Sequence, residues 1–499
     1  MAAAMDRNYY DGFRTFSWLA DLVGLPIDQL NFVLTQFTAL ILAGLLRTSL
    51  RSIIATPAAR HVYGLTIGLA LGYFCFGRQA IHLAGLPALC YVAMRTQSPR
   101  SMQRVVFVIA LIYLSFIHFH RQIYDYGSYT LDITGPLMVI TQKVTSLAYS
   151  VHDGLTRRAE ELTPMQRHQA VQKMPTILEY FSYIFHFQAL MAGPVIFYRD
   201  YIDFIHGQHI PGTRTGLYDS RKKEIVLEPS PTWVVVKKVA ASLTCALIFI
   251  TFIPAFPIQQ LKEKEFLEDT SMLYKIWYLM LTTMLARFKY YHAWLFADAI
   301  CNNSGLGFSG YDERGNPLWD AVSNVDVYKF ETSLNLREAI ESWNKGTNLW
   351  LRLVMHERAG RNKVLYTYAL SAVWHGFYPG YYLTFVSGAF FTFAARSVRR
   401  YVRPLFLESQ RKKTFYDILT FIVTRLVMAY MTFSFILLEF VPSIKVYLYL
   451  YLLPHLLGLV ALLLPPRLGL SRKTHSSPAA STETDHSEAV SNGNAHRMM

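Results

Sequence analysis

The sequence predicts an all-α polytopic membrane protein with roughly ten spanning or re-entrant helices, counted by hydropathy. Three observations carry that expectation. Of 499 residues, 52% are hydrophobic and only 16% charged, whereas soluble domains carry roughly a quarter charged residues. Several long runs contain no formal charge at all, and the basic residues gather in the gaps between them. Those runs approach the required length, because a helix rising about 1.5 Å per residue needs about 20 residues to cross a hydrocarbon core about 30 Å thick.

In chain order, the charge-free runs are residues 29–46, 61–77, 105–120, 239–261, 364–395 and 446–466. Residues 81–94 are apolar and short, and residues 177–197, 276–300 and 415–438 are apolar but interrupted by charge. The start, MAAAMDRNYYDGFRTF, lacks the basic, apolar and small-residue succession of a signal peptide, so the first run is expected to direct insertion. Arg47, Arg51 and Arg60 follow the first run, Arg396, Arg399, Arg400 and Arg403 follow the longest, and Arg472 and Lys473 follow the last. The positive-inside rule puts all three groups in the cytosol and the N-terminus in the lumen. Residues 1–470 therefore read as one membrane domain. Residues 471–499, without an aromatic or an apolar period, read as a disordered polar tail.

The formal charge of +14, from 48 Lys+Arg against 34 Asp+Glu, lies in interhelical loops and suits anionic headgroups or phosphates better than nucleic acid. Cys75, Cys90, Cys245 and Cys301 form no CxxC pair, so no zinc site is expected. Gly305, Gly307 and Gly310 spell GxGxxG, yet no hydrophobic strand precedes them and no dinucleotide site is expected. His120 and Asp125 have an HxxxxD spacing that a pair of such residues often meets by chance. Asn302 opens a glycosylation sequon by spelling alone. There is no GxSxG, HExxH or GxxxxGK[ST], which sets aside serine hydrolases of the soluble type, zincins and phosphate-loop enzymes.

Two residues stand out. Residues 364–395 contain 32 positions without a formal charge, and His375 lies in their first third. The 11 helical residues before it rise about 17 Å, which puts the imidazole well inside the membrane. An ionisable group at that depth normally faces a protein interior or a water-filled cavity. Gly376, Pro379 and Gly380 should break the helix there, and irregular backbone at this depth is tolerated where it lines a cavity. A hydrogen-bonded core histidine is the competing reading. Upstream, Leu336, Ile340, Trp343, Thr347, Trp350 and Val354 recur at steps of three and four, predicting one amphipathic helix over residues 335–358. Asn344 sits at the edge of its apolar stripe, as a buried amide or as a local cap.

At WHGFYPGYYLTF, Trp374 to Phe385, the chain resembles the membrane-bound O-acyltransferase family, in its lysophospholipid acyltransferase branch, whose WHGxxxGYxxxF pattern is met at every fixed position. Trp319-Asp320 and Trp343-Asn344 match two further family pairs. Tyr447, Tyr451 and His455 match a later YxxxYFxxH pattern, with Leu452 in place of its Phe. Residues 134–154 and 289–312 are similar to this branch as well, closest to its lysophosphatidylethanolamine and lysophosphatidylserine acyltransferases. The resemblance implies helices around a central catalytic chamber in a multi-pass protein of the endoplasmic reticulum membrane. His375 and Asn344 would face each other inside, with acyl-CoA entering from the cytosol and a lysophospholipid from the bilayer. It also implies an sn-2 hydroxyl and an unsaturated donor such as oleoyl-CoA, with no metal and no cofactor beyond the co-substrate; nothing in the residues sets an oligomeric state.

The chemistry that follows is acyl transfer to a poor nucleophile. A neutral imidazole at His375 would take the proton of the attacking hydroxyl, a contribution of about 10² to 10⁴ in rate. The Asn344 amide would donate to the oxyanion or position the acceptor. Arg352, Arg358, Arg361 and Lys363 are candidates for the CoA phosphates, beside an ordinary role as loop charge. Trp343, Trp374, Tyr378, Tyr381 and Tyr382 would line or pack the chamber. A transporter, for which a proline-broken helix is suited, and an acyltransferase with a sterol, diacylglycerol or peptide acceptor are the alternatives.

Overall fold

Helices make up nearly all the regular structure of the computed structural model, which describes residues 9–128, 130–209, 218–219, 224–225 and 229–467. The expected tail, residues 471–499, lies outside the described residues. Strands occur as two short hairpins, Tyr218–Asp219 with Glu224–Ile225 and Gly310–Tyr311 with Pro317–Leu318.

Twelve described helices have ten residues or more: α1 Ile27–Thr48, α2 Pro57–Phe76, α3 Ala80–Thr96, α4 Met102–Tyr124, α5 Thr134–Thr156, α6 Thr232–Phe252, α7 Met272–Ser304, α8 Lys363–His375, α9 Pro379–Ser397, α10 Gln410–Leu437, α11 Phe440–Tyr449 and α12 Leu453–Arg467. Among the described residues α1, α4, α6 and α10 are long and apolar enough to cross a membrane by themselves, and α11 with α12, bent by 73°, would make a fifth span. The expected count of ten is therefore not reached by length and composition, for reasons visible in the chain. The 364–395 run is cut at Gly376, and the 446–466 run is cut where Tyr451 and Leu452 take positive φ. Residues 177–197 give two short helices, Ile177–Phe185 and Phe187–Leu190. The 239–261 run stops at Phe252, ahead of Pro254 and Pro257, which cannot donate to a continuing helix.

Polar and apolar faces sort as a membrane protein requires. On α4 the outward Ile112 and Phe116 are each 65% exposed, a surface that lipid covers. In contrast α5 is enclosed, with 15 of its 23 residues buried, including Thr141, Gln142, Lys143, Thr145, Ser146, Ser150 and Asp153. Two hydrophobic clusters flank this arrangement. One is built on α1 to α5, the other on α7, α10 and α11, and residues of both line a single large cavity. The four cysteines are free thiols, with Cys75, Cys90 and Cys301 buried and Cys245 partly so.

The end of α5 is locked to the segment before α8 by a buried carboxylate. Asp153 accepts two bonds from the Arg358 guanidinium, at 2.9 and 2.5 Å, and a third from Arg157 at 3.4 Å. Removing that charge leaves two guanidiniums facing a neutral group in a closed site. Asp153→Asn is expected to destabilise the fold by about 3 to 5 kcal/mol, read as a lowered unfolding temperature in detergent micelles.

Candidate active site

The site is built on the break between α8 and α9. Gly376 follows the last residue of α8 with φ +114°, a conformation that L side chains rarely adopt, and a Cβ there would lie 2.9 Å from His118 Nδ1. The break is tied to its surroundings at several points. The Trp374 carbonyl accepts from His118 Nε2 at 3.0 Å, and the Trp374 indole donates to the Met138 carbonyl of α5 at 3.0 Å. Gly380 donates its N–H to the Leu438 carbonyl at 2.8 Å, and the Tyr378 hydroxyl accepts from the Gly127 N–H at 3.0 Å. Phe377 stacks on Phe119 with ring centroids 4.0 Å apart.

His375 is the last residue of α8. Its imidazole is packed among Trp374, Tyr381, Phe385 and Phe435, with ring centroids 4.6 to 5.8 Å away. Among the described residues no protein group forms a hydrogen bond with either ring nitrogen, and the ring's exposed part faces a cavity of about 2030 Å³. An imidazole without a protein partner in a walled cavity is disposed to bond a reactant. The core-histidine reading describes His455 instead: Nδ1 meets the Tyr430 hydroxyl at 2.8 Å, Nε2 meets Ser387 Oγ at 3.2 Å, and the ring does not line the cavity.

Asn344 lines the same cavity. The expected continuous helix over residues 335–358 is broken here, because Asn344 takes the left-handed conformation at φ 45°, ψ 56°, and separates Leu336–Ser342 from Lys345–Leu351. A π-helical turn, Arg352–His356, follows. The break is braced on both sides. Asn348 Nδ2 donates to the Ile340 and Trp343 carbonyls at 2.7 and 2.8 Å, while Asn324 accepts from the N–H groups of Lys345 and Gly346 at 2.8 and 3.0 Å. An asparagine held in this region costs on the order of 1 kcal/mol, and such strain gathers at functional sites. Its side-chain amide caps nothing. Enclosed α5 joins the two halves of the site, since Gln142 donates to Thr347 at 2.8 Å and Trp350 donates to Thr145 at 2.9 Å.

The other expected residues divide. Trp343, Trp374, Tyr378, Tyr381 and Arg352 line the cavity, as does Lys363. Trp343 is also caged by Tyr290, Tyr291, Trp294 and Phe330 at 4.9 to 5.8 Å. Tyr382, Arg358 and Arg361 do not line it. Arg358 is spent on Asp153, and Arg361 is exposed at the turn before α8. Arg396, Arg399 and Arg403, read from the sequence only as loop charge, do line it. So do His118 and Gln142, whose places are set by Trp374 and Thr347 far along the chain, and Arg121 and Asp132, which pair with each other across the loop that leads into α5. A search for polar residues in the low-hydropathy α5 segment would have found Gln142.

The remaining motifs are structural. Trp319 is buried against Phe308, its carbonyl takes the Lys238 ammonium at 2.8 Å, and Asp320 accepts from Ser309 at 2.5 Å, away from the cavity. Gly305 is the left-handed cap of α7 and Gly310 opens a hairpin, so the GxGxxG spelling is a helix end. His120 is exposed, and Asp125 instead holds Ser128 at 2.6 Å. Asn302 is buried, out of reach of glycosylation.

Residues 119–441 match the model of the MBOAT, membrane-bound O-acyltransferase, family. The chain belongs to this family, in its lysophospholipid acyltransferase branch. It is 55% identical over 466 residues to lysophospholipid acyltransferase 6 of Drosophila melanogaster, covering 93% of this chain and 64% of that protein's length. It is 42% identical over 452 residues to the human membrane-bound glycerophospholipid O-acyltransferase 2, covering 90% and 86% of the two chains. A lysophospholipid acyltransferase of Schizosaccharomyces pombe is 33% identical over 468 residues, covering 90% and 88%. Membership sets the transporter reading aside. It also makes the geometry at Gly376 testable by activity: Gly376→Ala, which is strained at this φ by about 1 to 3 kcal/mol and whose Cβ would press on the His118 ring that holds the turn, is expected to lower acyl transfer at least about tenfold in an assay of the folded, purified variant.

Proposed function

We propose that this membrane acyltransferase moves an acyl chain from acyl-CoA to the free hydroxyl of a lysophospholipid (lysophosphatidylethanolamine, lysophosphatidylserine or lysophosphatidylcholine) in the endoplasmic reticulum membrane. The observation that carries the proposal is the unpartnered imidazole of His375 in a cavity that Asn344 shares. Lys363 opens α8 and His375 closes it, so the two are separated by about 18 Å along the helix. Lys363, Arg396, Arg399 and Arg403 give the far end of the cavity four cations, a match for the phosphates of a CoA. The pantetheine arm then lies along α8 and α9 and delivers the thioester to His375.

In the reaction, His375 accepts the proton as the acceptor hydroxyl attacks the thioester carbon. Asn344 donates its amide to the oxygen that gains charge, the preorganised donor such a step needs. Collapse of the intermediate breaks the carbon–sulfur bond, and the proton returns from His375 to the departing thiolate. Ester and free CoA are the products, with no group left on the protein. Aromatic neighbours Trp374, Tyr381 and Phe435 keep bulk water from competing for the acyl group.

The test is mass-spectrometric detection of diacyl phospholipid made by purified protein from oleoyl-CoA and a panel of lysophospholipids. His375→Ala is expected to lower the rate by at least about 10² to 10⁴, and Asn344→Ala by about 10² to 10³, with unfolding temperatures unchanged. Product from none of the panel, or undiminished product from His375→Ala, would overturn the reading. Arg396→Gln with Arg399→Gln should raise the KM for oleoyl-CoA and leave the KM for the acceptor in place.

A further inference from the structure

The basic end of the cavity holds one group whose charge is not fixed. His356 closes the π-helical turn Arg352–His356, and its ring lines the cavity together with Lys363, Thr367 and Arg396. Nδ1 meets the Thr367 hydroxyl at 3.2 Å. That hydroxyl gives its single proton to the Lys363 carbonyl, at 2.6 Å and one turn back in α8, so toward His356 it can only accept. The proton of the neutral ring is therefore on Nδ1. Nε2 is left with a lone pair, and among the described residues it meets no protein group.

The charges around the ring oppose its protonation. Lys363 at the start of α8, Arg396 near the end of α9 and Arg352 in its own turn act on it as cations, and Glu357 acts the other way. Glu357 is already engaged, since it accepts from Arg352 at 2.7 Å and from Thr163 at 2.5 Å. Burial, and after it the three cations, hold the imidazole below its ordinary value, so the ring is neutral at about pH 7. A phosphate reverses that balance. Its oxygens repel the Nε2 lone pair of a neutral ring, whereas an imidazolium donates from both nitrogens and meets them with a charge-assisted hydrogen bond. The same anion offsets Lys363, Arg396 and Arg352, the cations that disfavour the charged ring.

We propose that His356 is a proton-linked ligand of acyl-CoA, whose imidazolium donates Nε2–H to a CoA phosphate, so that binding of the donor takes up a proton from solvent. The inference rests on the acyl-CoA reading of the basic end and adds to it a fifth group and a pH dependence of donor binding. Affinity is highest below the pKa of the ring in the free protein, falls as pH rises, and levels off above the pKa of the ring in the complex. The two imidazoles of the cavity then respond to pH in opposite senses: His375 accepts the hydroxyl proton only when neutral, and His356 holds phosphate only when charged.

The experiment measures Kd of the full-length protein in detergent for a non-hydrolysable thioether analogue of oleoyl-CoA between about pH 5.5 and pH 8, a quantity that turnover at His375 does not enter. Wild type is expected to bind about tenfold more weakly at the upper end, the ratio that follows when a bound phosphate raises the pKa of the imidazole by about one. The terminal phosphate of the analogue titrates at about pH 6, so wild type is read against two variants that meet the same ligand. His356→Gln is expected to remove the tenfold dependence and keep the weak value of the upper end. His356→Lys, charged throughout, is expected to remove it and keep the tight value. A ring that only fastens its turn would leave the wild-type pH dependence in both variants, with affinity lowered in parallel or unchanged; that result would overturn the proposal and leave the acyl-CoA site standing. Should neither variant fold, calorimetry of wild type at about pH 7 in buffers of different ionisation enthalpy decides alone. Phosphates that meet cations only release protons, so net proton uptake is expected from His356, and no net uptake overturns the proposal. An analogue that fails to bind wild type at every pH would overturn the acyl-CoA reading and this inference with it.

Discussion

Between His375 and Pro379 the backbone leaves the helix within a run of residues apolar enough for a bilayer, and the groups freed there need partners that lipid does not supply. The structure supplies them from three directions. His118 of α4 donates to the Trp374 carbonyl, α5 accepts from the Trp374 indole, and the end of α10 accepts from Gly380. Because a carbonyl only accepts, the His118 bond also fixes that ring as the Nε2–H tautomer. Three elements are thereby held against one turn, and His375 is the side chain that the turn delivers to the cavity. The site is a consequence of satisfying a broken helix.

That constraint organises the cavity. α8 and α9 run away from the break to Lys363 and to the Arg396–Arg403 group, so a molecule with a phosphate-rich head and a long arm matches the distance from one end to the other. The opposite wall near His375 belongs to α4 and α5, and its charges are already paired. Two polar regions of different character therefore flank one imidazole.

What could be read from the residues follows from the range of the interactions. His375 was legible because an ionisable group in 32 charge-free positions is costly wherever it has no purpose, and the helix break after it was legible from Gly376 and Pro379. His118 was not, because its partner Trp374 is 256 residues away and no local pattern records the pairing. Arg358 looked like a phosphate ligand for the same reason: its partner, Asp153, is 205 residues away. The apolar period over residues 335–358 hid the left-handed turn at Asn344, since periodicity reports which faces are buried and is silent on one residue's backbone. Bends at Gly376 and at Tyr451–Leu452 divide apolar runs that composition presents as continuous, so the helices do not follow the runs one to one.

The central claim is that one cavity brings an acyl thioester to His375 from the basic end at Arg396 to Arg403. An electron cryo-microscopy structure of the protein bound to a non-hydrolysable thioether analogue of oleoyl-CoA tests it most directly. The account predicts the CoA phosphates against Arg396, Arg399 and Arg403, with the sulfur and the adjoining carbon beside the His375 imidazole and the Asn344 amide. An analogue seated with its phosphates elsewhere, or with its sulfur away from His375, would contradict it.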